Sequence, residues 1–245
     1  MRRIRITVAY DGSNYHGWQV QPGLLTIQAA IEKVLAEIEG RHADVHASGR
    51  TDAGVHALAQ VAAFSIENPI PVDNLRRALN RLLPKDIRVL DAVETHAEFH
   101  PRFDARAKTY EYRISRVEVC SPFERLYVHH HPYPLDSAAI IHAAPLFEGE
   151  HDFSAFAASD PKDALGHSKV RTIFSSSARV DGDRLIYRVR GSGFLKHMVR
   201  NIVGTLIEVG RGSLADGESL PARCGATAPA KGLFLLSVEY PDERG

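Results

Sequence analysis

The stretch Gly49–Ala57, GRTDAGVHA, sets an arginine and an aspartate two positions apart between glycines. No helical or strand alternation of apolar residues runs through it. An aspartate is already ionised at neutral pH, with an ordinary pKa near ~3.9. It is therefore a nucleophile that needs no general base, unlike serine or cysteine. Burial in a substrate cleft would raise that pKa and an adjacent arginine would oppose the rise. Arg50 beside Asp52 is what a buried nucleophilic carboxylate requires. The same residues would also make a simple turn, with Asp52 bonding nearby backbone, Gly54 left-handed and Arg50 solvated.

Other residue types invite other chemistry. His96 and His100 are spaced H-x-x-x-H, and His129, His130 and His131 run together. A histidine pair at that spacing binds zinc only when a helix puts both on one face. Phe99-His100-Pro101 interrupts any helix, and adjacent residues of the extended YVHHHPYP point to opposite faces. No metal site is expected. GRGSLA follows a helix, which is the wrong context for a dinucleotide fingerprint. GSGFLK follows a strand, and Gly191 to Gly193 are expected to lead into a helix N-terminus that attracts phosphate or carboxylate, or else to form a tight turn. Tyr110 and Tyr112 share one face of a strand, where they would pack in the core or stack on a base.

These residues need elements to position them. IRITVAY alternates Ile4, Ile6, Val8 and Tyr10 against polar or small residues, a half-buried strand. TIQAAIEKVLAEIEG carries Ile27, Ile31, Val34, Leu35 and Ile38 at helical spacing, with Thr26 to cap its start and Gly40 its end. LAQVAAFSI reads as a strand. PVDNLRRALNRLLP reads as a helix burying Val72, Leu75, Leu79 and Leu82, and DIRVLDAVE as another strand.

A second series begins at KTYEYRIS, where Tyr110, Tyr112 and Ile114 alternate with Thr109, Glu111 and Arg113. A helix in LDSAAIIHAAPLF should be disturbed at Pro145. VRTIFSSSARVDGDRLIYRVRG is a hairpin turning at Asp181-Gly182. FLKHMVRNIVGTLIEVG is a helix with a stripe of Leu195, Val199, Ile202, Leu206 and Val209, and Gly210 as its left-handed end. GLFLLSVEYP closes the series as a strand. The order predicts an α+β protein of two ferredoxin-like halves, residues 1–105 and 106–245, with antiparallel sheets joined around a central cleft.

Composition bounds the function more loosely. The 245 residues are 44% hydrophobic and 24% charged, ordinary for a chain with a real core. No apolar run could cross a bilayer, and MRRIRITVAY lacks the apolar stretch of a signal peptide. Two cysteines, Cys120 and Cys224, make no disulfide scaffold, so a reducing cytoplasm is expected. Thirty basic and thirty acidic residues balance. Arginines and lysines nevertheless cluster in NLRRALNRLLPK, PRFDARAKTYEYRISR and RLIYRVRGSGFLKHMVR, so a basic face for a polyanion is compatible with neutrality.

The segment ASGRTDAGVHALAQVAAF closely resembles the signature of the tRNA pseudouridine synthase A family. VAYDGSNYHGWQVQP, FHPRFDARAKTYEYRI, FLKHMVRNIVGTLIEVG and TAPAKGLFLLSVEYP resemble the same family, in its order, across nearly the whole chain. The resemblance implies a homodimeric, cofactor-free enzyme that isomerises uridine to pseudouridine in the anticodon arm of tRNA, at positions thirty-eight to forty. It implies that Asp52 is the nucleophile, and that Arg50 contacts the target base or takes its place in the stack. Tyr110 would lie against the target uracil, and Arg200 would pair with the catalytic aspartate. The alternative is a non-catalytic RNA-binding module, which has no need of Asp52 beside Arg50. Two departures stand out. RGSLADGESLPARCGA is short and lacks a helix ending in a Lys-Asp-Arg-like run, and Pro101 replaces a small residue.

Overall fold

A computed structural model describes residues 1–159, 166–214 and 224–241. The chain divides into two compact units, Met1–Arg106 with Leu235–Gly245, and Ala107–Phe234. Of the shortened segment, residues 215–223 lie outside the described residues.

In the first unit β1 (Arg2–Tyr10), α1 (Ile27–Glu39), β2 (His46–Ala47), β3 (His56–Ile66), α2 (Val72–Leu82) and β4 (Ile87–Thr95) follow one another. The sheet runs β4-β1-β3 with β2 also on β3, and every pair is antiparallel. This is the split βαβ arrangement of a ferredoxin-like unit. Ile4, Ile6, Val8 and Tyr10 of β1 are buried while the residues between them are partly exposed, as the alternation predicts. Thr26 caps α1 by accepting the Ala29 amide, and Gly40 ends it with φ 77°.

One core residue of α2 differs from expectation. Leu82 is 47% exposed and Leu83 is 4% exposed. The chain leaves the helix at Leu83 with φ −65° and ψ 147°, and that extended residue points inward instead.

The second unit contains β5 (Ala107–Ser115), β6 (His129–His130), α3 (Ser137–Ala143), β7 (Gly149–Asp152), β8 (Val170–Asp181), β9 (Arg184–Gly191) and α4 (Met198–Gly210). Its sheet runs β5-β9-β8-β7 with antiparallel pairs, and β6 lies parallel to β5. Gly182, with φ 57°, turns the β8–β9 hairpin where the sequence places it. Pro145 falls in a 3-10 turn, Ala144–Phe147, that ends α3. β5 is buried on both faces, not one. Glu111 tolerates this because Arg113 and Arg188 bond its carboxylate at 2.9 and 2.7 Å.

The helix expected from Phe194 onward starts only at Met198. His197 holds a left-handed backbone at φ 61° as its N-cap, so Leu195 lies outside α4. Gly210 is the last helical residue, not a left-handed cap, and it is close-packed. A Cβ there would stand 2.6 Å from Ile140 Cδ1. The left-handed residue is Gly212, φ 72°.

The chain ends in β10 (Leu233–Glu239), whose residues from Leu235 on belong to the first unit. There Val238 and Tyr240 pack on Val61, Ala63 and Phe99, and the Tyr240 hydroxyl donates to Pro101 O at 2.6 Å. Among the described residues no helix is long and apolar enough to cross a membrane.

Candidate active site

The GRTDAGVHA loop leaves β2 and enters β3, and hydrogen bonds hold it along nearly its whole length. Ser48 N donates to Val61 O at 2.8 Å, and Ser48 Oγ donates to Gln60 Oε1 at 2.6 Å. Gln60 Nε2 returns a bond to Gly49 O at 2.9 Å. Thr51 Oγ1 shares a hydrogen bond of 2.8 Å with the Tyr10 hydroxyl, and Thr51 O accepts from Trp18 N at 3.1 Å. Val55 N donates to Asp52 O at 3.1 Å, and Gly54 N donates to Tyr15 O at 3.3 Å. Gly54 is left-handed at φ 77°, as a turn here demands.

The segment DGSNYHGWQ wraps the other side of this loop, and two glycines let backbone meet backbone. At Gly12 a Cβ would fall 2.0 Å from Val55 O, and at Gly17, with φ +87°, 2.6 Å from Thr51 O. Gly12 N also donates to His56 Nδ1 at 3.1 Å. Asp11 Oδ1 lies 3.1 Å from the same nitrogen. Burial pushes the Tyr10 hydroxyl up to about 12, against the opposing hydrogen bonds of Thr51 and Gln60, so it stays protonated at neutral pH.

On this scaffold Asp52 is half-buried and Arg50 is exposed. Both belong to one loop of the first unit, as their spacing requires. The guanidinium of Arg50 has no protein partner among the described residues. The arrangement is a half-buried carboxylate on a backbone-bonded loop that also carries an exposed cation.

The other two predicted residues lie in the second unit. Tyr110 on β5 is 7% exposed and meets Phe194 edge-on, with centroids 5.1 Å apart at 81°. Tyr112, on the same face, is fully buried and its hydroxyl donates to Pro229 O at 2.7 Å, a core role. Arg200 sits in the first turn of α4, where Nε donates to Ala228 O at 2.8 Å and its own carbonyl accepts from Ala228 N at 3.1 Å. Asn201 beside it donates to Phe156 O and accepts from Thr227 Oγ1, both at 2.7 Å. These bonds fix the first turn that carries Arg200.

The expected anion site at Gly191–Gly193 does not form. The helix begins only after the left-handed His197, so these glycines precede a connecting turn and not a helix N-terminus. A donor group that sequence reasoning did not find, Glu32, His42 and Asp44, has ligand atoms within 4.8 Å of one another. Its Glu32 Oε1 already accepts from Gln28 Nε2 and Val45 N.

Sequence reasoning also missed the supports of the Asp52 loop: Tyr10, Ser48, Thr51 and Gln60. One signal was available. A glutamine in the middle of the apolar run LAQVAAF must find buried partners.

Residues 6–104 and 143–241 match the family described as tRNA pseudouridine synthase. A tRNA pseudouridine synthase A of Solibacter usitatus (strain Ellin6076) is 72% identical over 240 residues, covering 98% of this chain and 100% of that one. The tRNA pseudouridine synthases A of Geotalea uraniireducens (strain Rf4) and Geobacter sp. (strain M21) are 47% and 45% identical, over 98% and 99% of this chain and the whole of theirs. The chain belongs to the tRNA pseudouridine synthase family. The matched segments contain Arg50, Asp52 and Arg200, and Tyr110 falls between them.

Proposed function

We propose that this protein is an isomerase that converts uridine to pseudouridine in tRNA, at positions thirty-eight to forty of the anticodon arm, and that Asp52 is its nucleophile. The observation that carries the reading is a family match over both halves of the chain. The match includes a carboxylate on a loop whose backbone is bonded from Ser48 to Val55.

The reaction needs little else. The N1–C1′ bond breaks, uracil turns, a C5–C1′ bond forms, C5 loses a proton and N1 gains one. No electron is transferred and no water is consumed. Glycosidases use two carboxylates because one must activate water while the other protonates the leaving group. Here the base stays bound and reattaches, so one carboxylate suffices. It has two routes, attack at C1′ of the sugar or addition to C6 of uracil.

The target base must first leave its stack, at a cost of a few kcal/mol. Arg50, exposed and without a protein partner among the described residues, is assigned to fill the gap or hold the base. Tyr110 is assigned to lie against uracil, and Arg200 to supply the positive charge for the catalytic carboxylate. The working form is a homodimer in the cytoplasm. Base-resolved pseudouridine mapping of unmodified tRNA after incubation with the pure protein tests the reading. New pseudouridine confined to positions thirty-eight to forty is expected. Unchanged tRNA would leave the protein a binding module.

A further inference from the structure

We infer that Gln60 is a positioning residue for Asp52: its buried amide holds the catalytic loop through Ser48 and Gly49. The inference rests on the proposed function for its catalytic meaning and on geometry for its structural one. Tyr10, Ser48, Thr51 and Gln60 are 4%, 0%, 6% and 0% exposed. Four polar side chains removed from water this completely are unfavourable unless they bond one another.

They do so in two groups. Gln60 Oε1 accepts from the Ser48 hydroxyl at 2.6 Å and Nε2 donates to Gly49 O at 2.9 Å. Beside them the Tyr10 hydroxyl and Thr51 Oγ1 share a bond of 2.8 Å. One amide thus holds the loop at the two residues that precede Arg50, and Thr51 adjoins Asp52. An apolar side chain would fill the same place in β3 without desolvating an amide. The polar one has a use only if the loop must be held in a single geometry, and a nucleophile displaced by an ångström loses about a hundredfold in rate.

The test begins with Gln60→Met, which keeps length and removes both strong bonds. Its folded form should turn over tRNA roughly 10–100-fold more slowly under single-turnover conditions with saturating enzyme. Its Kd for tRNA should stay at the wild-type value. Hydrogen exchange should quicken at the Trp18 and Gly54 amides, which bond Thr51 O and Tyr15 O, while the β1–β3 ladder stays protected. A residue that only stabilises the fold would lower the melting temperature and leave the rate of the folded fraction alone.

If Gln60→Met does not fold, Ser48→Ala and Ser48→Thr replace it, since alanine removes the hydroxyl that Gln60 Oε1 accepts and threonine keeps it. Threonine should retain the rate and alanine should lose it. A folded Gln60→Met with wild-type rate and exchange, or equal rates for alanine and threonine, would overturn the inference. A wild type that forms no pseudouridine removes the functional reading, and the exchange measurement still decides whether Gln60 holds the loop.

Discussion

At the scale of single residues, Tyr110 is the one whose two roles make different chemistry. Its ring is nearly buried and already has Phe194 against it. Tyr110→Phe keeps the ring and removes the hydroxyl, and Tyr110→Leu removes the aromatic face as well. If the hydroxyl moves a proton during rearrangement, Phe should bind tRNA normally and turn over ~10²–10⁴-fold more slowly. Leu should in addition lose roughly 1–3 kcal/mol of base stacking. Single-turnover rates with saturating enzyme separate these, because weaker binding is then masked. A Phe variant as fast as wild type removes the hydroxyl from the mechanism, and a Leu variant as fast as wild type makes Tyr110 a core residue.

The loop that carries Arg50 and Asp52 was legible because its charge spacing and flanking glycines break every apolar period. Gln60 was not, because a single polar residue in a strand does not reveal which backbone it bonds.

At the scale of elements, the Asp52 loop takes its shape from the segment that crosses it. Gly17 must be glycine twice over, for its φ of +87° and for the Thr51 carbonyl beside it. Gly17→Ala should cost about 1–2 kcal/mol from the left-handed backbone alone. Moving the Thr51 carbonyl should also lower the single-turnover rate. Denaturation midpoints and rates measured on one preparation check both. An alanine variant of wild-type stability and rate would mean that residues 11–19 do not restrain the loop.

Elements with a long, one-sided pattern, such as β1 and α1, were readable from sequence. β2 and β6 are two-residue strands, too short to alternate. α4 carries more burial than its apolar stripe shows, because Asn201 and Thr205 are buried through hydrogen bonds within the unit. Its late start is set by the left-handed His197, and histidine visits that conformation too rarely for the sequence to announce it.

For the molecule as a whole, two groups in the second unit predict a two-stage loss of stability in acid. Burial, followed by the charges of His131, Lys231, Arg211 and His130, pushes His129 down to about 4. The unfolded chain binds that proton near ~6.5, so between these values it holds a proton that the native state lacks. Stability is therefore full above pH ~6.5 and falls as the pH drops toward the native value. Burial would raise Glu111, but the hydrogen bonds and charges of Arg188 and Arg113 outweigh it and hold the carboxyl below the usual range. Its contribution is present above roughly pH 4 and is lost below. Urea midpoints at stepped pH should decline in both windows, and His129→Asn should flatten the first. A wild type equally stable at neutral pH and pH 4.5 would contradict this.

In the proposed reaction one carboxylate, Asp52, performs the isomerisation. The most direct test is base-resolved mapping of unmodified tRNA after a single turnover with saturating Asp52→Asn. The substitution removes the charge and keeps the shape, while phosphate contacts that carry affinity remain. No pseudouridine at positions thirty-eight to forty is expected, with tRNA binding largely retained. Pseudouridine formed there at near the wild-type rate would contradict it.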